Sequence, residues 1–133
     1  MILRRRHLPD HLERPYAAFR SIVPPLEQAK AALTESVPGT RLPGRPLAET
    51  LLEFEEGLRT VRAGMDAWRA PEVKAEWERA SRGLDEAGAM VERLRVEAPE
   101  PEGFEGLIGL IGDLLAPLEP FTEAAERFRA LRR

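Results

Sequence analysis

Apolar residues recur along most of the chain at alternating steps of four and three positions. Because an α-helix has 3.6 residues per turn, this spacing places the apolar side chains on one face of a helix. Two long examples occupy the middle of the chain. Their members are Leu47, Leu51, Phe54, Leu58, Val61, Met65 and Trp68 in the first, and Val73, Trp77, Ala80, Leu84, Ala87, Val91 and Leu94 in the second. The short connection between the two series predicts antiparallel neighbouring helices, with Trp68 and Trp77 at the same end of the core.

The same spacing predicts one further helix on each side of this pair. The first helix has apolar positions at Leu12, Tyr16, Phe19, Ile22, Leu26, Ala29 and Leu33, and the last has them at Phe104, Leu107, Ile111, Leu114, Leu118, Phe121, Ala125 and Phe128. Prolines mark the boundaries, since Pro46 suits a first helical position and Pro99 and Pro101 end the third helix. We therefore predict an all-α, antiparallel up-down-up-down four-helix bundle over residues 12–133. An N-terminal arm over residues 1–11 precedes it.

Two pairs of prolines fall inside the predicted helices. Pro24 and Pro25 lie near the middle of the first helix, and Pro117 and Pro120 near the middle of the last. A proline inside a helix removes a backbone hydrogen bond and bends the helix, so we predict that both helices are kinked. The first helix has the alternative of breaking into two shorter helices. Because the first and last helices of such a bundle are neighbours, the kinks would lie at similar height.

The region between the two kinks is a predicted pocket for a small apolar or amphiphilic molecule. Apolar walls with a few polar groups are typical of small-molecule sites. The predicted lining residues are Tyr16, Phe19, Arg20, Val23, Asp113, Leu114, Leu118 and Phe121. Arg20 and Asp113 would supply the polar groups at the rim. The alternative is that the helices only curve around a filled core.

The apolar stripe of the last helix is wider than one buried seam requires. Ile108, Leu110 and Leu115 add apolar side chains to it, and they predict an interface for self-association or for a protein partner. Four glycines recur in the same segment, at Gly103, Gly106, Gly109 and Gly112. Because a step of three residues rotates by about −60° around a helix, they spread over half its circumference and favour close packing over a single groove.

Composition and charge fit one globular domain without a preference for nucleic acid. The chain has 133 residues, of which 43% are hydrophobic and 32% charged, and a net charge of −3. The two signs are interspersed, as on solvated helix faces, so DNA or RNA is not predicted as a partner. Arginines collect only where the two termini should meet, and there an anionic partner is the alternative to solvated chain ends. They are Arg4, Arg5, Arg6, Arg14, Arg127, Arg129, Arg132 and Arg133.

No residue pattern indicates catalysis, a cofactor or a metal site. The only histidines, His7 and His11, lie in the N-terminal arm, and Pro9 interrupts the helix that would place both on one face as metal ligands. Glu53 and Glu56 should lie on the outer face of the second helix, without the histidine that di-metal bundles require. The chain has no cysteine and no glycine-rich phosphate loop. We therefore predict a protein that is not an enzyme and that needs no cofactor.

The N-terminal sequence predicts neither a signal peptide nor a membrane anchor. Charged residues and a proline, rather than an apolar stretch, follow its basic cluster. The longest uncharged apolar run, residues 106–112, is far shorter than the ~20 residues of a membrane-spanning helix. We expect a cytoplasmic interaction module that acts through protein contacts or self-association. The alternative function is binding of a small apolar or amphiphilic ligand.

Overall fold

The fold is an all-α bundle of four helical limbs, as predicted. A computed structural model describes residues 7–39 and 43–133. Their α-helices are α1 (Glu13–Thr34), α2 (Leu47–Ala63), α3 (Lys74–Glu97), α4 (Gly103–Leu115) and α5 (Pro120–Ala130). Short 3-10 turns lie at Asp10–Leu12, Asp66–Trp68, Pro71–Val73 and Ala116–Leu118. Helices α4 and α5, joined by the last of these turns, together form the fourth limb.

Contacts between neighbouring limbs run in opposite directions along the chain, so the limbs are antiparallel. Between α1 and α2 and the loop that joins them, the contacting pairs are Ser36 with Thr50, Ala29 with Gly57, and Ile22 with Gly64. Between α3 and the fourth limb, the pairs are Arg79 with Glu123, and Gly83 with Pro117. The backbones of His7 and Arg133 exchange two hydrogen bonds of 3.0 and 2.9 Å. The first and last described residues therefore lie at one end of the bundle.

One hydrophobic core runs through all four limbs. Leu51, Leu84 and Ile111, from three different limbs, are buried in the same cluster. The predicted seams of the first three limbs are buried or half-buried at every position. In the fourth limb, the prediction that Phe104 is a core position is wrong, because 59% of this residue is exposed. Phe104 lies in the first turn of α4. Its neighbours one turn further along are Leu107, which is half-buried, and Ile108, which is exposed.

The prolines act differently in the first and fourth limbs. Helix α1 continues through Pro24 and Pro25, so the first limb is not split. In the fourth limb the 3-10 turn at Ala116–Leu118 interrupts the α-helix. This turn packs directly on α3, where a Cβ atom added at Gly83 would lie 1.8 Å from the carbonyl oxygen of Pro117. The glycine therefore permits a backbone approach that any side chain would prevent.

Two ends of the bundle are distinguished below. The terminal end comprises residues 7–19, 61–80 and 121–133, and the distal end comprises residues 33–39, 43–52 and 94–108. An aromatic cluster fills the terminal end, where the ring centroid of Phe19 lies 5.0 Å from that of Trp68 and 5.3 Å from that of Phe128. Trp77 lies against the same cluster, with its ring centroid 6.5 Å from that of Trp68, as predicted.

Candidate interaction surface

Helix α4 is the most apolar helix of the bundle, but it buries little of its apolar surface. Only Ile111 and Leu114 are fully buried, whereas Phe104 is 59% and Ile108 is 44% exposed. Because each residue advances about 100° around a helix, side chains four residues apart lie on one flank. Phe104 and Ile108 therefore form an exposed apolar flank of α4.

Exposed large apolar residues are confined to one end of the molecule. Among residues 7–39 and 43–133 there are four, namely Leu52, Val96, Phe104 and Ile108. They come from three limbs, yet all four lie in the distal end, and Ile108 lies on the same flank of α4 as Phe104. We call Leu52, Phe104 and Ile108, with the grooves described next, the distal apolar surface. Val96 borders neither groove.

Two grooves at the distal end share the half-buried residue Leu47. The first, of about 370 Å³, is lined by Leu47, Ala48, Leu51, Leu52, Leu94, Arg95, Ala98 and Pro99. The second, of about 340 Å³, is lined by Ser36, Pro38, Arg45, Leu47, Pro101, Gly103, Phe104 and Leu107. Because Leu47 borders both, the grooves connect α2 and the end of α3 with the exposed flank of α4.

The two arginines that border these grooves already bind carboxylates of their own chain. Arg45 donates hydrogen bonds to Glu35 at 2.7 Å and to Glu53 at 3.0 Å, and Arg95 donates to Glu55 at 2.6 Å. The hydrogen bond from Arg45 lowers the pKa of Glu53, and the Glu53 and Glu35 carboxylates raise the pKa of Arg45 above its ordinary value. Both guanidinium groups are thus held beside the distal apolar surface by internal ion pairs.

Polar groups below this surface have hydrogen-bond partners. The hydroxyl groups of Ser36 and Thr50 hydrogen-bond each other while buried, and Thr50 also donates to the carbonyl oxygen of Leu47 at 3.0 Å. The backbone N–H of Arg45 donates to the carbonyl oxygen of Glu35 at 2.8 Å. These bonds join the end of α1 to the start of α2, and so fix the side of the second groove that lies opposite α4.

The three predicted interface residues do not share one face of α4. Ile108 belongs to the exposed flank, whereas Leu110 and Leu115 are half-buried and pack against the core. A step of two residues rotates by about 200°, so Ile108 and Leu110 project to opposite sides of the helix. Leu115 lies near the direction of Ile108, two turns further along. Phe104, rather than Leu110, lies with Ile108 in the exposed flank.

The residues predicted to line a pocket between the first and last limbs belong mostly to the packed core. Phe19, Leu114, Leu118 and Phe121 are buried, Tyr16 and Val23 are half-buried, and Arg20 and Asp113 are exposed. None of them lines the two distal grooves or the surface pockets beside Glu72, Arg62 and Gly57. Aromatic rings from α1 and α5 fill the space at the terminal end of this seam, with Tyr16 5.3 Å from Phe128.

At the terminal end, several charged side chains bind to neighbouring elements. Arg132 donates a hydrogen bond to the hydroxyl of Tyr16 at 2.7 Å, and His11 pairs with Glu72. This contact with His11 lowers the pKa of the Glu72 carboxyl. Arg127 donates to the carbonyl oxygen of Glu72 at 3.1 Å. The predicted cluster at Arg4, Arg5 and Arg6 lies outside the described residues.

Sequence reasoning missed Leu52, Val96 and Phe104 as parts of the exposed surface. One signal was available in the chain. Phe104 follows the sequence Pro99, Glu100, Pro101, Glu102, Gly103, so it begins a helix directly after a loop. Leu52 follows the seam residue Leu51 directly and Val96 lies two positions after the seam residue Leu94, and neither carried such a signal.

No protein-family model, curated protein or solved structure matches this chain significantly. Among the helices of residues 7–39 and 43–133, none has the length and apolar character needed to cross a membrane.

Proposed function

We propose that this protein is a non-enzymatic interaction module that binds a protein partner, or a second copy of itself, through the distal apolar surface. The observation that carries the proposal is the confinement of all four exposed large apolar side chains of the described residues to the distal end, where Leu52 and Phe104 border connected grooves. Isolated exposed apolar residues are common, whereas contiguous apolar patches mark interaction sites. Grooves that connect three limbs, on a hydrogen-bonded support, provide the shape that such a contact needs.

The composition of the surface also supports a protein contact. Buried aromatic and aliphatic anchors contribute most of the free energy of protein interfaces. Phe104 and Ile108 are such anchors, since they project from one flank of a helix and together offer an aromatic ring and a branched side chain. Their exposure also means that replacing them leaves the core of the protein intact.

The proposal is tested with the variant Phe104→Ser/Ile108→Ser and a matched control, Ala130→Ser. Ala130 is exposed at the end of α5, far from the distal apolar surface. Sedimentation velocity over a wide concentration range measures self-association. Affinity capture from the source cells, followed by titration of each purified candidate, measures binding to other proteins.

We expect the double variant to weaken association at least tenfold, which corresponds to about 1.4 kcal/mol, and the control to behave as the wild type. Circular dichroism and urea unfolding should be unchanged for both variants. If association proceeds equally well with the double variant, the distal apolar surface is not the docking site and the proposal fails.

A second candidate function is binding of a small amphiphile. We predicted this function from the prolines, and the apolar groove beside Leu47, Leu51 and Leu94 favours the distal end as its location. A volume of about 370 Å³ lies within the range of small-molecule pockets. Thermal-shift titration with single-chain detergents below their critical micelle concentration tests this function. A saturable shift that Leu51→Ala abolishes would support it, and no shift at any concentration would exclude it.

A further inference from the structure

The chain segment that carries the exposed flank of α4 has charges of one sign only. Residues 96–126 include no lysine, arginine or histidine. The acidic residues in this segment are Glu97, Glu100, Glu102, Glu105, Asp113, Glu119, Glu123 and Glu126. Elsewhere in the chain the two signs are interspersed, so this stretch is the exception.

Three of these acids accompany α4 and have no ion-pair partner among the described residues. They are Glu102, Glu105 and Asp113, and all three are exposed. At 100° per residue, Glu105 and Asp113 lie about 60° to 180° around the helix from Phe104 and Ile108. The exposed side of α4 therefore has an apolar edge at Phe104 and Ile108 and, on one side of it, an acidic edge that extends from Glu105 round to Asp113.

The space between the two edges is open. Gly112 lies there, and Gly109 lies within the acidic edge, between the directions of Glu105 and Asp113. A Cβ atom added to either glycine would meet nothing within 4 Å. A helix laid along α4 would approach the backbone closely over these glycines. It would contact Phe104 and Ile108 on one side and Glu105 and Asp113 on the other.

The two described arginines that border the grooves, Arg45 and Arg95, do not pair with the acidic edge. Arg45 is bound to Glu35 and Glu53, and Arg95 is bound to Glu55. These ion pairs leave Glu102, Glu105 and Asp113 without a partner among the described residues, so a molecule that covers the surface can supply the opposite charge. A second copy of the same face would bring its own acids and no free base from residues 96–126, so it would be repelled.

From this charge complementarity, and resting on the proposed function, we propose that the partner is a cationic amphipathic α-helix of another protein. Its apolar side chains would pack on Phe104 and Ile108, and its lysines or arginines would pair with Glu105 and Asp113. Docking of an amphipathic helix in an apolar groove is a recurrent mode of peptide recognition. Anionic membrane surfaces and nucleic acids do not fit, because their charge has the same sign as the acidic edge.

The test uses two synthetic helical peptides of equal length that share one leucine face. One peptide carries lysines on its polar face and the other carries glutamates. Each is labelled and titrated with the full-length protein by fluorescence anisotropy. We expect the lysine peptide to bind at least tenfold more tightly than the glutamate peptide, and to lose at least tenfold in affinity when NaCl is raised from about 0.05 M to about 0.5 M.

Two charge-reversal variants locate the contact. Glu105→Lys/Asp113→Lys should weaken binding of the lysine peptide at least tenfold. Glu56→Lys/Glu126→Lys changes the net charge by the same amount at exposed acids without ion pairs, away from the distal apolar surface, and should change binding less than threefold. Circular dichroism verifies that both variants are folded. Equal weakening by the two variants would identify bulk attraction and overturn the inference.

The remaining outcomes separate this inference from the proposed function. If both peptides bind equally well and Phe104→Ser/Ile108→Ser abolishes binding of both, the docking surface stands and the cationic partner is excluded. Failure of the lysine peptide to bind also excludes it. Binding to vesicles of phosphatidylcholine and phosphatidylglycerol that depends on Phe104 and Ile108 would identify lipid in place of a protein helix and would overturn the inference.

Discussion

The terminal and distal ends of the bundle contain similar apolar side chains but differ in how far these side chains are buried. At the terminal end, Trp68 is fully buried and lies among Phe19, Phe121 and Phe128. At the distal end, the ring of Phe104 stands largely in solvent. The difference is in what covers each end of the core. An apolar side chain on a helix face is buried only where another element lies over it.

The elements that cover the terminal end of the core are held in place by specific hydrogen bonds. The 3-10 turns at Asp66–Trp68 and Pro71–Val73 bridge α2 and α3, and the indole N–H of Trp77 donates to the carbonyl oxygen of Met65 at 2.8 Å. The chain ends add the paired backbones of His7 and Arg133. At the distal end the corresponding support lies beneath the apolar side chains rather than over them, which is why we propose that end as the binding surface.

The largest effect expected from this comparison is on Trp68. Trp68→Ala should lower the free energy of unfolding by about 3–5 kcal/mol, because it leaves a large cavity in the aromatic cluster. Phe104→Ala at the distal end should change it by less than about 0.5 kcal/mol, as for other surface positions. Urea denaturation followed by circular dichroism measures both. Comparable losses for the two variants would show that Phe104 contributes to the core and would remove the distinction between the ends.

The next effect concerns the contact that joins the two halves of the fourth limb to α3. Gly83→Ala should destabilise the protein by about 1–3 kcal/mol, because its Cβ would collide with the backbone of Pro117. The matched control lies in the same helix. A Cβ at Gly88 would meet nothing within 4 Å, so Gly88→Ala should stabilise by about 0.5–1 kcal/mol through helix propensity. Opposite signs in urea denaturation are the expected result, and equal signs would contradict the close approach.

A smaller effect is expected at the distal end of α3. Ala98 ends this helix in the left-handed region, with φ at 44°, where a non-glycine residue is strained. Ala98→Gly should therefore stabilise the protein by about 0.5–1 kcal/mol. Ala89→Gly, at an exposed position inside α3, should destabilise it by about 1 kcal/mol. A loss of stability with Ala98→Gly, measured by thermal unfolding, would show that the strain is absent.

The smallest effects are expected from two ion pairs, one beside each end of the bundle. Glu53, beside Arg45, and Glu72, beside His11, have folded-state pKa values below the ordinary 4.5. A depressed carboxyl pKa stabilises the folded protein above pH 4.5, and this contribution is lost as the pH falls through the folded-state value. Glu53→Gln and Glu72→Gln should each flatten the decrease in urea midpoint between pH 5 and pH 3. Because both carboxylates are solvent-accessible, the changes should be small.

Salt should weaken both ion pairs. Both are surface pairs, so about 0.5 M NaCl should reduce the effect of each substitution. An unaltered pH profile for either variant would show that its partner does not stabilise the ionised carboxylate.

Much of the fold could be predicted from the spacing of apolar residues. The seams through Leu51, Leu84 and Ile111 were placed in a common core, and they are. Helix boundaries were less accurate. Trp68 was assigned to the second helix but lies in a 3-10 turn after α2 ends at Ala63, because the chain must tighten to place this ring over the core end.

The candidate site was predicted only in part. The wide apolar stripe pointed to the fourth limb, and Ile108 is exposed there as an interface residue requires. Leu110 carried the same sequence signal but packs against the core. Leu52 and Val96 could not be found, because their exposure depends on where α2 and α3 end relative to the other limbs.

By itself, the sequence determined the helices, the faces they bury and the order in which they follow one another. Local spacing suffices for this, because 3.6 residues per turn fixes the direction of each side chain around its own axis. Only the tertiary structure decided which parts of those faces are covered. Phe104 and Phe121 occupy the same predicted seam, but 59% of one is exposed and 4% of the other. Coverage depends on contacts between residues far apart in the chain, and the periodicity of one helix contains no information about them.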